Sequence, residues 1–282
     1  MDILHTTSRM QDKAGAMHRL GKTIGLVPTM GYFHEGHLSL MREARKETDY
    51  VVVSLFVNPI QFGPHEDLDR YPRDMERDIA LAQQAGVDAI FIPPADEMYP
   101  PGFRTAVAVE GLSNVLCGAH RPGHFQGVAT VVCKLFNIVT PDVAYFGQKD
   151  AQQAIIIKRM VEDLNFTVRI TVLPIVRETD GLAMSSRNAY LSERERQAAL
   201  CLHRALQKAE ESVRQGERNA QAIIAQAEAV IRSEPLAKVE YVAICDTEEL
   251  SSIENITDEA LLALAVRIGN TRLIDNAILK TG

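Results

Sequence analysis

Two histidines three residues apart carry the clearest chemical signal in the sequence. His34 and His37 end the segment Pro28–His37, which follows a short apolar run and precedes a helical pattern. Rings at this spacing in the first turn of a helix face the same side. Helix N-terminal amides attract phosphate, and two imidazoles add donors for the same anion. The pattern therefore favours a phosphate site, while the spacing by itself also suits surface or metal-binding histidines.

Other polar side chains follow predicted strands, at the point where each strand ends. Asn58 and Gln61 follow one apolar run, and Lys149 and Asp150 follow another. Amide side chains donate and accept, which suits a small molecule that bears hydroxyl and carboxylate groups. A lysine supplies a point charge for phosphate, and a carboxylate can accept from a ribose hydroxyl. For Asn58 taken alone, a loop position beside Pro59 is the simpler interpretation.

A third polar group lies far along the chain, where Met184–Arg187 holds two serines and an arginine. Two hydroxyls and a guanidinium on a mobile loop can close over a triphosphate. Without the upstream histidines, a serine-rich linker between domains would be the simpler interpretation. Arg121 and His124 lie in a Pro/Gly loop, and we expect them to contact substrate. A zinc site at His120 and His124 is rejected, because Pro122-Gly123 prevents helical spacing between them.

The elements that must position these groups alternate between strands and helices. The predicted strands are Thr23–Val27, which Pro28 ends, Tyr50–Val57, Val87–Ile92, Val143–Phe146 and Val168–Val172. The predicted helices are Leu38–Thr48, Pro72–Ala85 with Pro72 at its start, Val128–Ile138 and Ala151–Leu164. This alternation predicts an α/β fold with a Rossmann-like, doubly wound parallel sheet. Such sheets bind ligands outside the carboxyl ends of their strands, where the polar groups above lie.

The pattern changes after residue 176. Ser192 and Glu195 predict a capping box that opens a helix, and Asn219 is the predicted cap of a helix that runs to Ser233. Two further strands are predicted near Val239–Cys245 and Leu261–Ile268. We therefore predict a Rossmann-like nucleotide-binding domain over residues 1–175 and a smaller C-terminal α+β domain over residues 176–282.

Composition narrows the class of protein. The 282 residues, 46% of them hydrophobic, can bury a full core in one large domain or two smaller ones. The 30 Lys+Arg against 37 Asp+Glu give a net charge of -7, so nucleic acid is not an expected partner. Four scattered cysteines suit a reducing compartment. The start lacks a secretory pattern and no apolar run could span a bilayer, so we predict a cytoplasmic protein without a membrane partner.

The chemistry-bearing segments resemble those of a known family. Pro28–Leu40 is similar to the HIGH-type motif of nucleotidyltransferases and class I aminoacyl-tRNA synthetases. More narrowly, it resembles the N-terminal signature of the pantothenate synthetase (pantoate–β-alanine ligase) family. The resemblance continues, in the family's order, through Phe56–Gly63, Tyr71–Arg73, Arg121–Phe125, Phe146–Asp150 and Met184–Asn188. Phe33 stands where the family more often has leucine, and the C-terminal third carries few signatures.

The resemblance implies an ATP-dependent ligase that condenses (R)-pantoate with β-alanine. The expected intermediate is pantoyl adenylate, and the products are pantothenate, AMP and diphosphate. The expected catalytic residues are His34, His37, Lys149 and Arg187. The expected ATP site comprises Met30, Gly31, His34, Gly36, His37, Gly147, Gln148, Lys149, Asp150, Val176, Met184, Ser185, Ser186 and Arg187. The expected pantoate and β-alanine site comprises Asn58, Gln61, Arg121, His124 and Gln153. The enzyme is expected to use Mg²⁺ bound by few protein ligands, and Asp78 is one candidate near the metal. It is also expected to form a homodimer.

Simple acid–base chemistry assigns the steps. A carboxylate with a pKa near ~4 is already ionised, so adenylation needs no general base, and the histidines are better donors to phosphate. An ammonium with a pKa of ~10 must lose a proton before it attacks, and the sequence identifies no base for it. Three alternatives stay open: an adenylyltransferase that stops after AMP transfer, an RNA-binding synthetase relative, and a non-catalytic nucleotide-binding regulator. The acidic balance opposes the second, and the intact histidine and Arg187 segments oppose the third.

Overall fold

A six-stranded parallel sheet forms the first half of the chain. The computed structural model describes residues 1–64 and 66–281. The strands are β1 (Asp2–Leu4), β2 (Ile24–Thr29), β3 (Tyr50–Leu55), β4 (Ala89–Phe91), β5 (Val143–Gly147) and β6 (Arg169–Leu173). Their spatial order is β1-β4-β3-β2-β5-β6. The order reverses between β2 and β5, which is the switch point where doubly wound sheets bind ligands. The predicted Rossmann-like class is confirmed.

Helices cover both faces of this sheet. They are α1 (Thr7–Arg19), α2 (Glu35–Glu47), α3 (Met75–Gln84), α4 (Ala95–Met98), α5 (Cys117–His120), α6 (His124–Val139) and α7 (Ala151–Asp163). Successive strand residues point to opposite faces. Leu26 and Val52 pack in the core under α1, α6 and α7, whereas Val27 and Val53 pack in the core under α2 and α3. Both faces are buried, which explains the continuous apolar runs of β2 and β3.

A second, antiparallel sheet follows. It consists of β7 (Ala237–Cys245), β8 (Glu259–Ile268) and β9 (Thr271–Lys280), and it packs against α8 (Glu193–Arg214) and α9 (Ala220–Arg232). In β8, Leu262 and Leu264 face these helices, whereas Leu261 and Ala263 join the core of the first sheet. The α+β ending is confirmed, and the division at residue 176 stays a prediction.

Polar contacts also fix β9 to the first sheet. The guanidinium of Arg177 donates to both carboxylate oxygens of Asp275, at 2.7 and 3.0 Å. The Asp275 side chain is 2% exposed. Asn276 Nδ2 donates to the backbone carbonyls of Gln148 and Lys149, at 2.9 and 3.0 Å. The second sheet is therefore bonded directly to the turn that follows β5.

Most predicted elements are confirmed to within a few residues, but the prediction that Pro28 ends its strand is wrong. Pro28 lies inside β2, in register with Ser54 of β3. Strand β5 pairs with β2 only at Gly25 and Leu26. Pro28 therefore lies beyond the part of β2 that β5 contacts, and its missing N–H removes no bond to that strand.

The predicted start of α3 at Pro72 is also wrong. The helix begins at Met75 and not at Pro72, because the carboxylate of Asp74 accepts the Arg77 backbone N–H at 3.1 Å and forms the N-cap. Among the helices and strands named above, β1, α1, α4, α5 and β9 were not predicted. The capping box of Ser192 and Glu195 is confirmed at the start of α8.

We predict that Asp275→Asn destabilises the protein. The substitution leaves the charge of Arg177 without its carboxylate partner in a largely buried place, which should lower the free energy of unfolding by about 2–3 kcal/mol. Urea unfolding followed by circular dichroism measures this. Asp258→Asn, at an exposed position, is the control and should change stability by less than about 0.5 kcal/mol. Equal losses in the two variants would show that the buried pair contributes nothing.

Candidate active site

The two histidines cap the N-terminus of α2 with their own rings. His34 is the N-cap, and its Nδ1 accepts the backbone N–H of Gly36 at 3.2 Å. Nδ1 of His37 accepts the backbone N–H of His34 at 3.3 Å, which completes a capping box. The ring centroids lie 4.1 Å apart. Both rings thus lie on one side, as the spacing predicts, although His34 precedes the helix and is not in its first turn.

These caps determine which nitrogen carries the proton. Because each Nδ1 accepts a hydrogen bond, each neutral ring carries its proton on Nε2. Burial, together with the nearby charge of Lys149, lowers the pKa of His34 to about 4. Burial is also the main cause that holds the pKa of His37 well below its ordinary value, and His34 and Lys149 add to it. Each ring is therefore neutral at pH 7 and offers one Nε2–H donor.

A buried carboxylate fixes the turn that precedes the histidines. Gly31 and Tyr32 have φ angles of 88° and 54°, in the left-handed region. Asp78 accepts the backbone N–H of Tyr32 at 2.6 Å and that of Phe33 at 2.7 Å. A Cβ at position 31 would lie 3.0 Å from the same carboxylate, so glycine is required there. Asp78 is 1% exposed, and burial raises its pKa. The structure therefore assigns Asp78 to this turn, where both of its carboxylate oxygens accept backbone N–H groups.

A cavity of about 220 Å³ lies at the switch point, beside the two rings. The predicted site residues line it, with the exception of Gly31 and Gln148. Its lining comprises Met30, His34, Gly36, His37, Asn58, Gln61, Arg121, His124, Gly147, Lys149, Asp150, Gln153, Val176, Met184, Ser185, Ser186 and Arg187, among others. Gln148 instead donates from Nε2 to Asn276 Oδ1 at 3.2 Å, and so holds β9.

A larger cleft of about 540 Å³ adjoins this cavity. The two share lining residues, among them Arg121, Lys149, Gln153 and Arg187. The larger cleft extends along β8 and β9, where Leu264 and Arg272 are part of its wall. Although this cleft is the larger space, His34 and His37 do not line it. We therefore place the chemistry in the smaller cavity, which both of them line.

The distant serine–arginine segment contacts the histidine turn. Ser186 Oγ donates to the backbone carbonyl of Tyr32 at 3.2 Å. The guanidinium of Arg187 forms a bidentate pair with Asp67, at 2.8 and 2.9 Å, and lies 5.2 Å from the ring centroid of Tyr71. Burial opposes ionisation of Asp67, but the bond and the charge of Arg187 outweigh burial and lower its pKa. The arginine is therefore held beside the cavity by a carboxylate.

Gln61 is held by a layer of residues behind it. Asn58 Nδ2 donates to Gln61 Oε1 and to the carbonyl of Gly127, both at 3.0 Å, and Asn58 Oδ1 accepts from the hydroxyl of Tyr99 at 2.7 Å. Asn58 is 1% exposed. Both amide hydrogens of Asn58 thus have partners, and Asn58 acts through Gln61. A Cβ at Gly127 would lie 2.7 Å from the Gln61 Cα, so glycine permits this close packing.

Arg121 and His124 support the same glutamine from its backbone side. Nδ1 of His124 donates to the Gln61 carbonyl, and its Nε2 accepts from Arg121 Nη1, both at 2.9 Å. Arg121 also donates from Nε to Glu66 at 2.7 Å. Burial lowers the pKa of His124 to about 4. In this structure Arg121 and His124 bond to protein groups, and His124 is the Nδ1–H tautomer, opposite to His34 and His37.

The sequence did not reveal several residues that build the site. Glu66 pairs with Arg121, which lies 55 positions away, and Asp67 pairs with Arg187, which lies 120 positions away. No local sequence pattern indicates such distant pairs. Tyr71 had one signal, because it belongs to a block that resembles the family. Tyr99 had none.

Comparisons with known proteins show which family the whole chain matches. A family model described as Pantoate-beta-alanine ligase matches residues 2–278. The chain is 57% identical over 280 residues to a pantothenate synthetase of Moorella thermoacetica, with 99% of each chain covered. It is 58% identical over 280 residues to that of Roseiflexus castenholzii, covering 99% of this chain and 100% of the relative.

Solved structures give the same result. The pantothenate synthetase of Thermus thermophilus superposes with a TM-score of 0.94 at 48% identity, covering 98% of this chain and 99% of that one. A pantoate-beta-alanine ligase of Francisella tularensis, complexed with Beta-gamma ATP and Beta-alanine, gives 0.82 at 33% identity, covering 99% and 97%. Across residues 1–64 and 66–281, no helix combines the length and the apolar character that a membrane crossing needs.

We predict that the three partly buried histidines His34, His37 and His124 differ in tautomer in a way that nitrogen NMR resolves. With ¹⁵N-labelled histidine at pH 7, His34 and His37 should give neutral Nε2–H signals and His124 a neutral Nδ1–H signal. The rings should stay neutral down to about pH 5, because the pKa values of His34 and His124 are about 4. Single His→Gln variants assign the signals. A charged ring at pH 6, or an Nδ1–H signal from His37, would contradict the capping arrangement.

Proposed function

The chain belongs to the pantoate–β-alanine ligase family, and we propose that its paired histidines and the Ser185–Arg187 segment act on one ATP triphosphate. The enzyme condenses pantoate with β-alanine through a pantoyl adenylate and releases AMP and diphosphate. The observation that carries the residue assignment is the contact of Ser186 with the Tyr32 carbonyl, because it brings both segments to one cavity. The family match favours the ligase over the adenylyltransferase and RNA-binding alternatives.

In the first step, a pantoate carboxylate oxygen attacks the α-phosphorus of ATP. The new P–O bond forms as the bond to the bridging oxygen of diphosphate breaks, and negative charge moves onto the diphosphate. The carboxylate is already ionised, so no base is required. The Nε2–H groups of His34 and His37 then donate to the phosphate oxygens on which this charge collects.

The cavity supplies charge and hydrogen bonds from different residues. Because the two rings are neutral, they stabilise phosphate by hydrogen bonding alone. Lys149 provides the positive charge, since its ammonium lies 3.8 Å from Asp150 and makes only a weak pair with it. A neutral donor in a buried place avoids the cost of burying an imidazolium.

Arg187 exchanges one anion for another when the nucleotide binds. Its guanidinium is paired with Asp67, and a phosphate offers the same bidentate geometry as a carboxylate. Ser185 adds a hydroxyl donor on the same segment, whereas the Ser186 hydroxyl donates to the Tyr32 carbonyl and positions the segment beside the histidines. Closed over the adenylate, this segment also excludes water from a mixed anhydride that hydrolyses readily.

Gln61 and Gln153 bind pantoate in this proposal. Asn58 fixes the Gln61 carbonyl oxygen, so the Gln61 amide donors have a defined direction. Gln153 lines both the cavity and the adjoining cleft. In the second step, the deprotonated β-alanine amine attacks the adenylate carbonyl, the C–N bond forms, and the C–O bond to AMP breaks.

We propose that Mg²⁺ accompanies ATP and that the protein itself would supply few ligands to it. In the described part of the chain, no group of three or more His, Cys, Asp or Glu side chains could form a metal cage. Within that same part, Asp150 is the one carboxylate that lines the smaller cavity, and its side chain is 48% exposed. Such a donor set suits Mg²⁺, which keeps several of its waters. When bound, the ion neutralises phosphate charge.

We further propose that the enzyme works in the cytoplasm as a homodimer. All four cysteines are free thiols, and three of them are buried. This suits a reducing compartment. The homodimer is what the resemblance to the family implies.

His37→Ala should reduce adenylate formation about 10²–10³-fold, because it removes one donor to the developing phosphate charge. Pantoate-dependent ATP–diphosphate exchange measures this step, and adding β-alanine then tests AMP release. Ser192→Ala, which removes the cap of α8 instead, is the matched control and should leave exchange unchanged. Near-normal exchange by a folded His37→Ala variant would remove His37 from the mechanism.

Gln61→Ala should raise the KM for pantoate about 10–100-fold and leave the KM for ATP within about threefold, because among the substrates it removes hydrogen bonds to pantoate and none to ATP. Steady-state kinetics with each substrate varied in turn separate the two effects. Gln84→Ala, at an exposed position on α3, controls for loss of a glutamine. An unchanged KM for pantoate would defeat the assignment.

A further inference from the structure

A chain of hydrogen bonds leads from Tyr99 to the smaller cavity. The Tyr99 hydroxyl donates to Asn58 Oδ1 at 2.7 Å, and Asn58 Nδ2 donates to Gln61 Oε1 at 3.0 Å. Gln61 Nε2 in turn donates to the sulfur of Met30 at 3.1 Å, and Met30 and Gln61 both line the cavity. Tyr99 itself lines neither the cavity nor the adjoining cleft. Any effect of Tyr99 on a ligand in the cavity must therefore pass through Asn58 and Gln61.

The direction of this chain is fixed at Asn58. A backbone carbonyl can only accept, and that of Gly127 accepts from Asn58 Nδ2 at 3.0 Å. If the Asn58 amide were reversed, its oxygen would face the Gly127 carbonyl oxygen, and two acceptors would be in contact. On its other side, the Tyr99 hydroxyl supplies the donor that Asn58 Oδ1 needs. Asn58 is buried, so bulk solvent offers no other partner. The Asn58 amide therefore has one favoured orientation, with Nδ2 toward Gln61.

Asn58 passes this orientation to Gln61. Because Asn58 Nδ2 donates to Gln61 Oε1, the Gln61 oxygen is occupied and its Nε2 lies on the side of Met30 and the cavity. An amide nitrogen carries two donors. Within residues 1–64 and 66–281, the one partner of Gln61 Nε2 is the Met30 sulfur, which is a weak acceptor. Gln61 thus has a donor available for a carboxylate or hydroxyl oxygen of pantoate, whereas a reversed amide would present an acceptor to the carboxylate.

The Tyr99 hydroxyl has a defined position because its ring is packed. The ring centroid lies 5.1 Å from that of Phe103 and 6.2 Å from that of Phe56. The ammonium of Lys134 lies 6.0 Å from the same centroid. Burial raises the pKa of Tyr99, so its hydroxyl keeps its proton. The hydroxyl is therefore a fixed donor, as a residue that orients another must be.

We propose that Tyr99 is a positioning residue for pantoate, whose hydroxyl fixes Asn58 so that Gln61 presents its Nε2–H to the substrate. The inference rests on the proposed role of Gln61 in pantoate binding. A donor that is oriented before the substrate arrives avoids the cost of ordering it on binding. Without the hydroxyl, Asn58 Oδ1 would lack a donor, and the Asn58 and Gln61 amides would occupy more than one orientation. Pantoate would then bind only the fraction of molecules with the correct one.

Removal of the single hydroxyl tests this role. Tyr99→Phe should raise the KM for pantoate about 3–10-fold and leave the KM for ATP within about twofold, because a smaller fraction of molecules can bind pantoate. Tyr50→Phe is the matched control. It removes another buried hydroxyl, at the first residue of β3, and lines neither space. Its two KM values should be unchanged. An unchanged KM for pantoate in a Tyr99→Phe variant that circular dichroism shows to be folded would overturn the inference.

A double variant shows whether Tyr99 acts through Gln61. In the Gln61→Ala background, Tyr99→Phe should change the KM for pantoate by less than about 1.5-fold, because no amide is left to orient. A hydroxyl that only stabilised the fold would add its full effect to that of Gln61→Ala, and this result would overturn the inference.

The same kinetics separate this inference from the proposed function. If Gln61→Ala raises the KM for pantoate and Tyr99→Phe does not, the role of Tyr99 is wrong and that of Gln61 stands. If Gln61→Ala itself leaves the KM for pantoate unchanged, the proposed role of Gln61 is wrong and the role of Tyr99 falls with it.

Discussion

The site depends on one interaction, the capping of α2 by the rings of His34 and His37. A helix N-terminus leaves backbone amides without partners, and here two ring nitrogens accept from amides of that turn. The same bonds place the remaining ring protons on Nε2, and burial keeps the rings neutral. Asp78 holds the turn before them. The caps thus convert an ordinary phosphate-attracting helix end into a pair of oriented, uncharged donors.

The sheet topology explains why distant residues meet there. The reversal of strand order between β2 and β5 places the histidine turn beside Lys149. Asn276 bonds to the turn after β5, and Arg177 pairs with Asp275, so the second sheet is fixed against the first. The cations are compensated by carboxylates, since Arg187 pairs with Asp67 and Arg121 with Glu66. This suits a chain with a net charge of -7 that must hold a triphosphate locally.

Local sequence patterns predicted most of the helices and strands and most of the residues that line the cavity. Strand ends and helix caps depend on residues that lie close together in the sequence, so a local pattern can indicate them. Ser192 with Glu195 is such a case, and so is His34 with His37. The errors have physical causes. Pro28 lies in a strand where the neighbouring strand does not reach it, and Asp74 caps a helix that Pro72 was expected to start. The sequence makes Asp78 a candidate near a metal, but its partners are backbone amides 45 and 46 residues away. Ion pairs such as Arg187 with Asp67 depend on the folded chain alone.

The most direct test of the central claim is a crystal structure with pantoate and an ATP analogue that cannot be cleaved between the α- and β-phosphates. We expect the Nε2 atoms of His34 and His37, and the guanidinium of Arg187, to lie within hydrogen-bond distance of the same triphosphate, with Arg187 released from Asp67. A nucleotide bound in the larger cleft, away from both rings, would contradict the account.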